Sequence, residues 1–446
     1  MSRGFFFKIG TIFLLVLLLM IPLMQINGLI AERQHRRDDV VQDIARSSSG
    51  SQTLTGPLLV IPYHKTVRTW REDVNTKQRI AEEHQVDGEL YFLPETFNMN
   101  GQVQTEVRKR GIYAARLYHA NSEITGHFLI PRKLGITDDY DAYRFDPAYL
   151  SLGISDIRGI EDALELRVDD KVLKVDPGTR TKMLGTGVYA MVPDLDGITA
   201  TTFTYQLQLK LQGTSDLQVT PVGRASKIVL ASNWPNPSFV GEYLPVTRNV
   251  DKHGFKATWT TTFFSTNMVE ALDDCAGDGN CSEFNGRHFG VSLIDPVDQY
   301  LKSNRAIKYA LLFVVLTFAG FFLFEVLKQL AVHPIQYGLV GLALALFYLL
   351  LLSMSEYMAF GVAYAISATA CVGLIGFYVT FVLHSFFRGA GFAICLAALY
   401  AMLYELLSAE DYSLLMGSIL VFGLLAVVMV LTRNVNWFNV TGRPAG

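Results

Sequence analysis

Two cysteines in the central part of the chain are close enough in sequence to bond to each other. Cys275 and Cys281 bracket the small polar loop Ala-Gly-Asp-Gly-Asn. A close pair around a glycine-rich turn can form a local disulfide where the compartment is oxidising. Two unpaired thiols are the alternative. A metal site is disfavoured, because no second cysteine pair or nearby His-x-x-His supplies the remaining ligands.

Other residue patterns that could do chemistry are weak. The sequence has no G-x-S-x-G, H-E-x-x-H or P-loop motif, so the common hydrolase and nucleotide-binding signatures are absent. Gly185-Thr-Gly187-Val-Tyr-Ala190 fits G-x-G-x-x-A, but Met191-Val-Pro193 follows where a dinucleotide fold needs a helix, which favours a turn. None of the histidines pairs with another at metal-ligand helical spacing. We therefore predict no catalytic residue, metal or cofactor.

The composition is typical of a membrane protein that carries a large polar domain. Of 446 residues, 50% are hydrophobic and 18% charged, and the mean hydropathy is +0.27. Residues 31–304 have the composition of a polar globular domain, whereas 306–432 are almost continuously apolar. The formal net charge is −3 and no basic tract is interleaved with aromatic residues, which disfavours nucleic-acid binding.

Six apolar runs are long enough to cross a bilayer with a hydrocarbon core of about 30 Å. They cover approximately 9–30, 307–327, 336–353, 359–383, 390–407 and 412–432. The first is predicted to be an anchor rather than a cleaved signal peptide, because its apolar stretch is long and no A-x-A-like cleavage site is seen. The other five are predicted to form a C-terminal bundle.

The distribution of charges predicts the orientation of these spans. With the N-terminus in the cytoplasm, the basic residues of short loops and tails fall inside and the acidic residues of the short outer loops fall outside. The inner set is Arg3, Lys8, Lys328, Arg388, Arg433 and Arg443, and the outer set is Glu356, Glu405, Glu410 and Asp411. Arg33, Arg36 and Arg37 are exceptions, but they begin a long segment that translocates largely regardless of charge.

This orientation gives a multi-pass protein of a bacterial inner membrane with both termini cytoplasmic. The predicted parts are the cytoplasmic N-terminus 1–8, the transmembrane anchor 9–30, a periplasmic β-rich domain 31–304, a five-helix bundle 305–433 and a cytoplasmic tail 434–446. Cys275 and Cys281 would then lie in the oxidising periplasm.

The external segment is predicted to be mostly β, of β-rich α+β class, on a helical stem. The anchor helix is expected to continue through Leu29–Arg46 and to stop at the Ser-Ser-Ser-Gly sequence that ends at Gly50. Thr202–Gln212 alternates apolar and polar residues, as a half-buried strand does. The best further helix candidate is Asp156–Leu166. The segment could form one domain or two.

Small residues recur every fourth position in two of the predicted membrane helices. They are Gly361, Ala365, Thr369 and Gly373 in one helix, and Gly389, Ala393, Ala397 and Ala401 in the next. In lipid, such ridges let two helices approach closely, so we predict that these two helices pack on each other. Glu325 and Glu356 sit near segment ends, which favours anchoring at the interface over an ion path.

Several stretches of the sequence resemble the CreD family of inner-membrane proteins. They are YFLPE (Tyr91 to Glu95), RGIY (Arg110 to Tyr113), SDIRGI (Ser155 to Ile160), SNWPNPSFVGEYLP (Ser232 to Pro245), GFKATW (Gly254 to Trp259) and DPVDQY (Asp295 to Tyr300). Two membrane segments, Asn304 to Glu325 and Glu410 to Arg433, resemble the family as well. The likeness runs from about residue 30 almost to the end.

The resemblance implies a protein of cell envelope integrity, controlled by a CreBC-type two-component system. It implies no active site. The first functional hypothesis is therefore a non-enzymatic protein that binds envelope components, including envelope proteins, through its external domain and contacts the lipid bilayer through its helices. A transporter or channel is the alternative, and a periplasmic enzyme on cell-wall or lipid substrates is the third.

Overall fold

The computed structural model describes residues 3–72, 79–193, 195, 198–293, 299–328, 332–408 and 413–433. The predicted tail 434–446, the loop acids Glu410 and Asp411, and most of the Asp295–Tyr300 motif lie outside the described residues. The chain divides into two compact units, one from Met1–Asp38 with Val297–Gly446 and one from Asp39–Pro296.

The first unit is helical. Its helices are α1 (Arg3–Ser47, of which residues from Asp39 belong to the second unit), α5 (Gln299–Lys328), α6 (Pro334–Ser355), α7 (Phe360–Val382), α8 (Phe386–Ser408) and α9 (Ser413–Thr432). The start of α6 shows how the sequence sets a helix boundary. Pro334 occupies the first turn, where its missing N–H costs nothing, and the His333 side chain accepts from the backbone N–H of Ile335.

Five helices of the described chain are long and apolar enough to cross a membrane, not six as the sequence predicted. They are Phe7–Ser47, Gln299–Leu323, Pro334–Ser355, Phe360–Val382 and Phe386–Ser408. The last predicted span, 412–432, does fold as helix α9. The first predicted span lies within α1, which is long and apolar enough to cross a membrane and continues as a helix as far as Ser47.

The second unit consists mainly of two β-sheets. In chain order the strands are β1 (Gln52–Glu72), β2 (Arg79–Phe92), β3 (Thr96–Arg110), β4 (Tyr113–Ile130), β5 (Tyr143–Phe145), β6 (Tyr149–Ile154), β7 (Glu165–Val168), β8 (Lys171–Leu173), β9 (Val175–Pro177), β10 (Gly187–Met191), β11 (Thr201–Thr214), β12 (Asp216–Thr220), β13 (Ala225–Ser232), β14 (Ser238–Gly241), β15 (Thr247–Asp251), β16 (Gly254–Thr262) and β17 (Phe289–Ser292).

The strand order brings distant parts of the chain together. The first sheet has the order β14-β17-β12-β1-β6-β10-β9, and β2 and β5 pair with β1 as well. The second has the order β15-β16-β13-β3-β4-β11-β7-β8. Most neighbours are antiparallel, but β12 runs parallel to β1 and β13 runs parallel to β3.

Alternation of apolar and polar residues explains the strands that the sequence predicted. In β11, Phe203, Tyr205, Leu207, Leu209 and Leu211 are buried and their neighbours face solvent, as expected. One continuous hydrophobic core contains buried residues from both sheets, so the described part of the external segment forms one unit rather than two.

The predicted helix over Asp156–Leu166 is wrong. Only Ile157–Gly159 makes a single 3-10 turn, and Glu165–Val168 is the strand β7, because Leu166 and Val168 alternate into the core. Three short helices were not predicted from the sequence. They are α2 (Phe263–Thr266), α3 (Met268–Asp278) and α4 (Ser282–Gly286). Gly187–Met191 form strand β10, so Gly185 and Gly187 lead into a strand and not into the helix that a dinucleotide fold needs.

Candidate functional site

The end of helix α1 is held by the turn that contains Asp156 and Arg158, both from the SDIRGI stretch. An α-helix ends with carbonyls that have no partner within the helix. Arg158 Nη1 donates to the carbonyl of Arg46 at 2.6 Å. Asp156 Oδ2 accepts from the backbone N–H of Gly50 at 3.1 Å and from Arg158 Nη2 at 2.6 Å. One ion pair therefore binds both the last turn of α1 and the chain just beyond it.

The side chain of Gln52 joins the same turn to the backbone of Gln212. Gln52 Nε2 donates to the carbonyl of Asp156 at 2.9 Å and to that of Gln212 at 3.1 Å. A side chain is not tolerated at Gly159, since a Cβ there would lie 2.2 Å from the Gln212 carbonyl oxygen. We call this arrangement of Asp156, Arg158, Gly159 and Gln52 around the end of α1 the stem joint.

The arginine of the RGIY stretch also contacts the stem. Arg110 Nη1 pairs with Asp43 Oδ2 at 3.0 Å. Beneath this pair, Ile44 of α1 packs with Ala115 and Leu117 of β4, and all three are buried. Arg110 of RGIY and Arg158 of SDIRGI thus both bind residues 39–47 of α1 and not a ligand pocket.

The Asp156 carboxylate has a strongly perturbed titration. Its hydrogen bonds with Arg158, and the one from the Gly50 N–H, lower its pKa from 3.8 to about 2, against the opposing effect of burial. Because the folded pKa is depressed, the pair adds stability above the unfolded pKa, and this contribution is lost as the pH falls through the folded value. The stem joint is therefore ionised and intact at neutral pH.

In the helical unit, a buried carboxylate ties α1 to α5 and α6. Glu325, near the end of α5, is 8% exposed and forms an ion pair with Lys8 of α1. Its oxygens also accept from the Tyr337 hydroxyl at 2.9 Å and from the Val332 N–H at 3.4 Å. Lys8 Nζ donates to the Val332 carbonyl at 3.0 Å. A carboxylate with this many partners tolerates burial that an isolated one would not.

A second buried carboxylate contacts α1 and α5 at the other end of the apolar part of α1. Glu356, which follows the last residue of α6, has a side chain that is 7% exposed and lies 3.7 Å from Arg33 Nε. It also accepts from the hydroxyl of Tyr300, near the start of α5, at 3.2 Å. Lys8 and Arg33 are 25 residues apart, about 37 Å along a helix, so the two pairs flank the apolar stretch.

Between these ends, α1 and α6 approach closely at a glycine. A Cβ on Gly341 would lie 2.2 Å from the side chain of Leu19 and 2.8 Å from that of Phe318. Close approach through a missing side chain is the usual basis of packing in lipid. Sequence reasoning did not find Gly341. It placed Glu325 and Glu356 correctly near segment ends but had no signal for their partners on α1.

The predicted small residues of α7 and α8 line grooves between these two helices. A groove of about 710 Å³ has walls that include Gly361, Ala365, Thr369, Gly373, Ala397 and Ala401. A second, of about 420 Å³, is lined by residues that include Gly373, Gly389 and Ala393. The helices come closest at Gly389, where a Cβ would lie 2.1 Å from Thr380 Oγ1. That these eight residues determine the packing stays a prediction.

Cys275 and Cys281 lie next to each other in the second unit. Cys275 is buried in α3, Cys281 precedes α4, their Cα atoms are 4.3 Å apart and the two sulfurs are bonded in the structure. Cys371 is buried and Cys395 exposed in the membrane helices, and both are unbonded. Within the described residues, no group of three or more His, Cys, Asp or Glu side chains is placed to hold a metal ion.

The external histidines make ordinary polar contacts. His119 lies between Glu161 and Glu106, and His127 Nδ1 is 2.8 Å from the hydroxyl of Thr96. His64 contacts Asp87 at 2.6 Å and Asp146 at 3.3 Å, and the hydrogen bond with Asp87 contributes most to raising its pKa above 6.5. These contacts join neighbouring strands and loops of the β unit.

Long apolar helices, with the Glu325 and Glu356 carboxylates buried beside cations of α1, define an integral, multi-pass membrane protein in contact with the lipid bilayer. The model of the family described as inner membrane protein CreD matches residues 4–438. The chain is 35% identical over 433 residues to inner membrane protein CreD of Escherichia coli strain K12, covering 97% of this chain and 94% of the relative. It therefore belongs to the CreD family of inner membrane proteins, whose description names no catalytic activity.

Solved structures show only remote likeness. Native leukotriene A4 hydrolase from Saccharomyces cerevisiae is 12% identical, with a TM-score of 0.19, over 37% of this chain and 26% of that one. An M1 zinc metallopeptidase from Deinococcus radiodurans is 10% identical, also with a TM-score of 0.19, over 38% of this chain and 39% of that one. Similarity at this level supports no inference about fold or activity.

The ion pair between Lys8 and Glu325 predicts how substitutions of these two residues change the free energy of unfolding. Glu325→Gln keeps an acceptor for Tyr337 but leaves the Lys8 charge without its partner. We expect it to lower the free energy of unfolding in detergent by about 2 kcal/mol, less than for a fully buried pair because Lys8 is partly exposed. The double variant Lys8→Met/Glu325→Gln should recover much of the loss in a thermal melt.

An exposed pair on the same helix provides the control. Glu32 and Arg36 of α1 pair at 2.6 Å with more than half of each side chain exposed, so Glu32→Gln should change stability by less than about 0.5 kcal/mol. Equal effects of Glu325→Gln and Glu32→Gln would contradict the structural importance of the buried pair.

The stem joint predicts a pH-dependent effect. Arg158→Ala removes the main cause of the low Asp156 pKa and the donor to the Arg46 carbonyl. We expect a lower melting temperature at neutral pH, because the ion pair with Asp156 and the hydrogen bond to the Arg46 carbonyl are both lost. The difference from the parent protein should shrink as the pH falls from about 4 towards 2, as Asp156 is protonated in both. Thermal melts across this range measure it.

The matched control is Arg167→Ala. Arg167 pairs with Glu165 at 3.8 Å on the exposed side of strand β7. Its loss should leave both the melting temperature and its pH dependence unchanged. An Arg158→Ala protein that melts like the Arg167→Ala protein at every pH would refute the proposed role of the joint.

Proposed function

We propose that this protein supports the integrity of the bacterial cell envelope without being an enzyme. In this proposal α1 and the C-terminal helices hold it in the inner membrane, and the β unit in the periplasm binds other envelope components. The resemblance of its motifs to the CreD family further suggests a place in a CreBC-type envelope stress response.

The observation that carries this proposal is the use of the motif arginines. Residues that form binding or catalytic sites are usually aimed at a ligand pocket. Here Arg110 and Arg158 instead pair with Asp43 and the Arg46 carbonyl on the stem. The arginines of two resembling stretches are thus used inside the β unit, where they hold residues 39–47 of α1, as expected for a protein that holds or positions other components.

The contacts of the membrane carboxylates favour this function over transport. An ion path requires ionisable groups that can change partners near the centre of the bilayer. Glu325 and Glu356 are instead placed at the two ends of the spans and are each bound by a cation of α1 and a tyrosine. These contacts stabilise a fixed arrangement of α1, α5 and α6.

The arrangement in the membrane is part of the proposal. We infer that α9 is a sixth span, because Ser413–Thr432 is 20 residues long, which is enough to cross about 30 Å. Six spans put both termini in the cytoplasm and residues 31–304 in the periplasm, where an oxidising environment would keep the Cys275–Cys281 bond formed. Five spans would leave the C-terminus outside.

Reporter fusions distinguish these arrangements. Alkaline phosphatase fused after Gly446 should be inactive, and a fluorescent protein at the same place should be fluorescent, if α9 crosses the membrane. The same phosphatase inserted near Gly277, in the helix between the two cysteines, should be active. An active C-terminal phosphatase would show that α9 does not cross.

Capture of partners in cells tests the function itself. A photoreactive amino acid placed at exposed positions of the β unit should crosslink reproducibly to envelope components, which mass spectrometry identifies. The same residue placed on the lipid-facing side of α7, for example at Leu374, should not capture them. Turnover of a cell-wall fragment or lipid by the purified protein would instead show that it is an enzyme.

A further inference from the structure

One face of the second sheet is exposed along the part that includes Asn98–Gln104 of β3. At one end of this face, Ile44 of α1 packs on Ala115 and Leu117 of β4. Strands β16, β13, β3, β4 and β11 lie side by side, and each buries alternate residues in the core. The side chains between those buried residues therefore point to solvent. We call this surface the polar face.

The composition of the polar face is unusual for a solvated sheet. Its members are mostly amides and hydroxyls rather than the mixed charges that commonly cover a protein surface. They include Asn98, Asn100, Gln102 and Gln104 of β3, Asn121, Glu123 and Thr125 of β4, Gln206 and Gln208 of β11, and Thr258 and Thr260 of β16. Such groups both donate and accept hydrogen bonds.

A groove of about 380 Å³ crosses this face. It is lined by Asn98, Asn100, Glu123, Thr125, Lys227 and Lys256, together with Met99 and Val229. The strand register places Lys227 beside Asn98, and Asn98 beside Thr125. Glu123 accepts from Gln206 Nε2 at 2.7 Å, so this carboxylate already has a partner. The amides and the threonine hydroxyl remain directed into the groove from neighbouring strands.

Two lysines supply positive charge at this groove. Neither Lys227 nor Lys256 forms an ion pair with any residue that the structure describes. Lys227 faces Thr260 on β16, which puts Lys256 four residues further along that strand, about 13 Å away at roughly 3.3 Å per residue. An elongated ligand with anionic groups along its length therefore fits better than one compact anion.

We propose that the polar face binds an acidic glycan strand, a polymer of amino sugars that carries carboxylates. The amides and hydroxyls would hydrogen-bond the sugar hydroxyl and acetamido groups, and Lys227 and Lys256 would bind the carboxylates. A protein partner fits less well, since protein interfaces centre on aromatic and arginine anchors and the groove lining has neither. This inference rests on the proposed function, whose envelope ligand it identifies.

The test is co-sedimentation of the full-length, detergent-solubilised protein with purified peptidoglycan sacculi. The parent protein should sediment with sacculi, and retention should fall with added salt and when the carboxylates are amidated. Lys227→Glu/Lys256→Glu should weaken retention at least tenfold, and Asn98→Ala/Asn100→Ala should weaken it as well. Millimolar inorganic phosphate should not compete, because it lacks the sugar groups.

The matched control is Lys109→Glu/Lys182→Glu, which makes the same charge change at two exposed lysines away from the groove. It should bind sacculi like the parent protein. Equal melting temperatures of the two double variants would show that a difference in retention is not caused by unfolding.

Two results would overturn the inference. One is undiminished retention of Lys227→Glu/Lys256→Glu. The other is a loss of protein crosslinks in cells by this variant with sacculus binding intact, which would identify the face as a protein-binding surface. Either result leaves the envelope function standing if crosslinking to envelope components persists, so failure of this inference and failure of the proposed function can be told apart.

Discussion

The helical unit depends on one electrostatic constraint, which is that a carboxylate buried beside lipid must have a cation close to it. Glu325 meets this requirement through Lys8, a residue 317 positions away in the chain. Once this pair is formed, α1 can no longer slide along α5 and α6 without exposing a charge to hydrocarbon. The Glu356 and Arg33 pair applies the same constraint at the other end of the apolar stretch.

These two pairs give α1 a defined register, which its apolar side chains alone could not. Leucine-rich helices have little preference for one partner over another in lipid, because lipid tails are as apolar as the side chains themselves. In α1, directional bonds act at each end, and Gly341 permits close contact with Leu19 between them. The anchor is therefore an integral part of the helical unit and not only a tether.

The stem joint supplies hydrogen bonds to the end of the same helix. The last carbonyls of α1 need donors, and the chain must leave the helix in the direction of β1. Arg158 supplies the donor, and Asp156 orients Arg158 while accepting from Gly50. The absence of a side chain at Gly159 lets the Gln212 carbonyl approach. Three residues of one short turn, Asp156, Arg158 and Gly159, thus meet requirements that no single residue could.

The parts of this structure that the sequence could predict are those set by local pattern. The apolar run of α1, the end of the stem near Ser47 and the alternation of β11 each depend on residues adjacent in the chain. The pairs Lys8–Glu325 and Arg33–Glu356, and the contact of Arg158 with Arg46, join distant segments, and no pattern within either segment specifies its partner. The helix expected over Asp156–Leu166 failed for the same reason, since burial against β11 outweighs local preference at Leu166.

The polar face results from the alternation of buried and exposed residues along the strands that form the core. A strand that sends every second residue into a shared core must send the others out, so the five strands from β16 to β11 form a broad surface regardless of its use. Stability requires only that this surface be polar, and alternating lysine and glutamate would satisfy that requirement equally well. The use of amides and hydroxyls, with Lys227 and Lys256 forming no ion pair among the described residues, is therefore not explained by folding. A requirement outside the fold, such as recognition of a ligand with sugar hydroxyls and carboxylates, accounts for both features together.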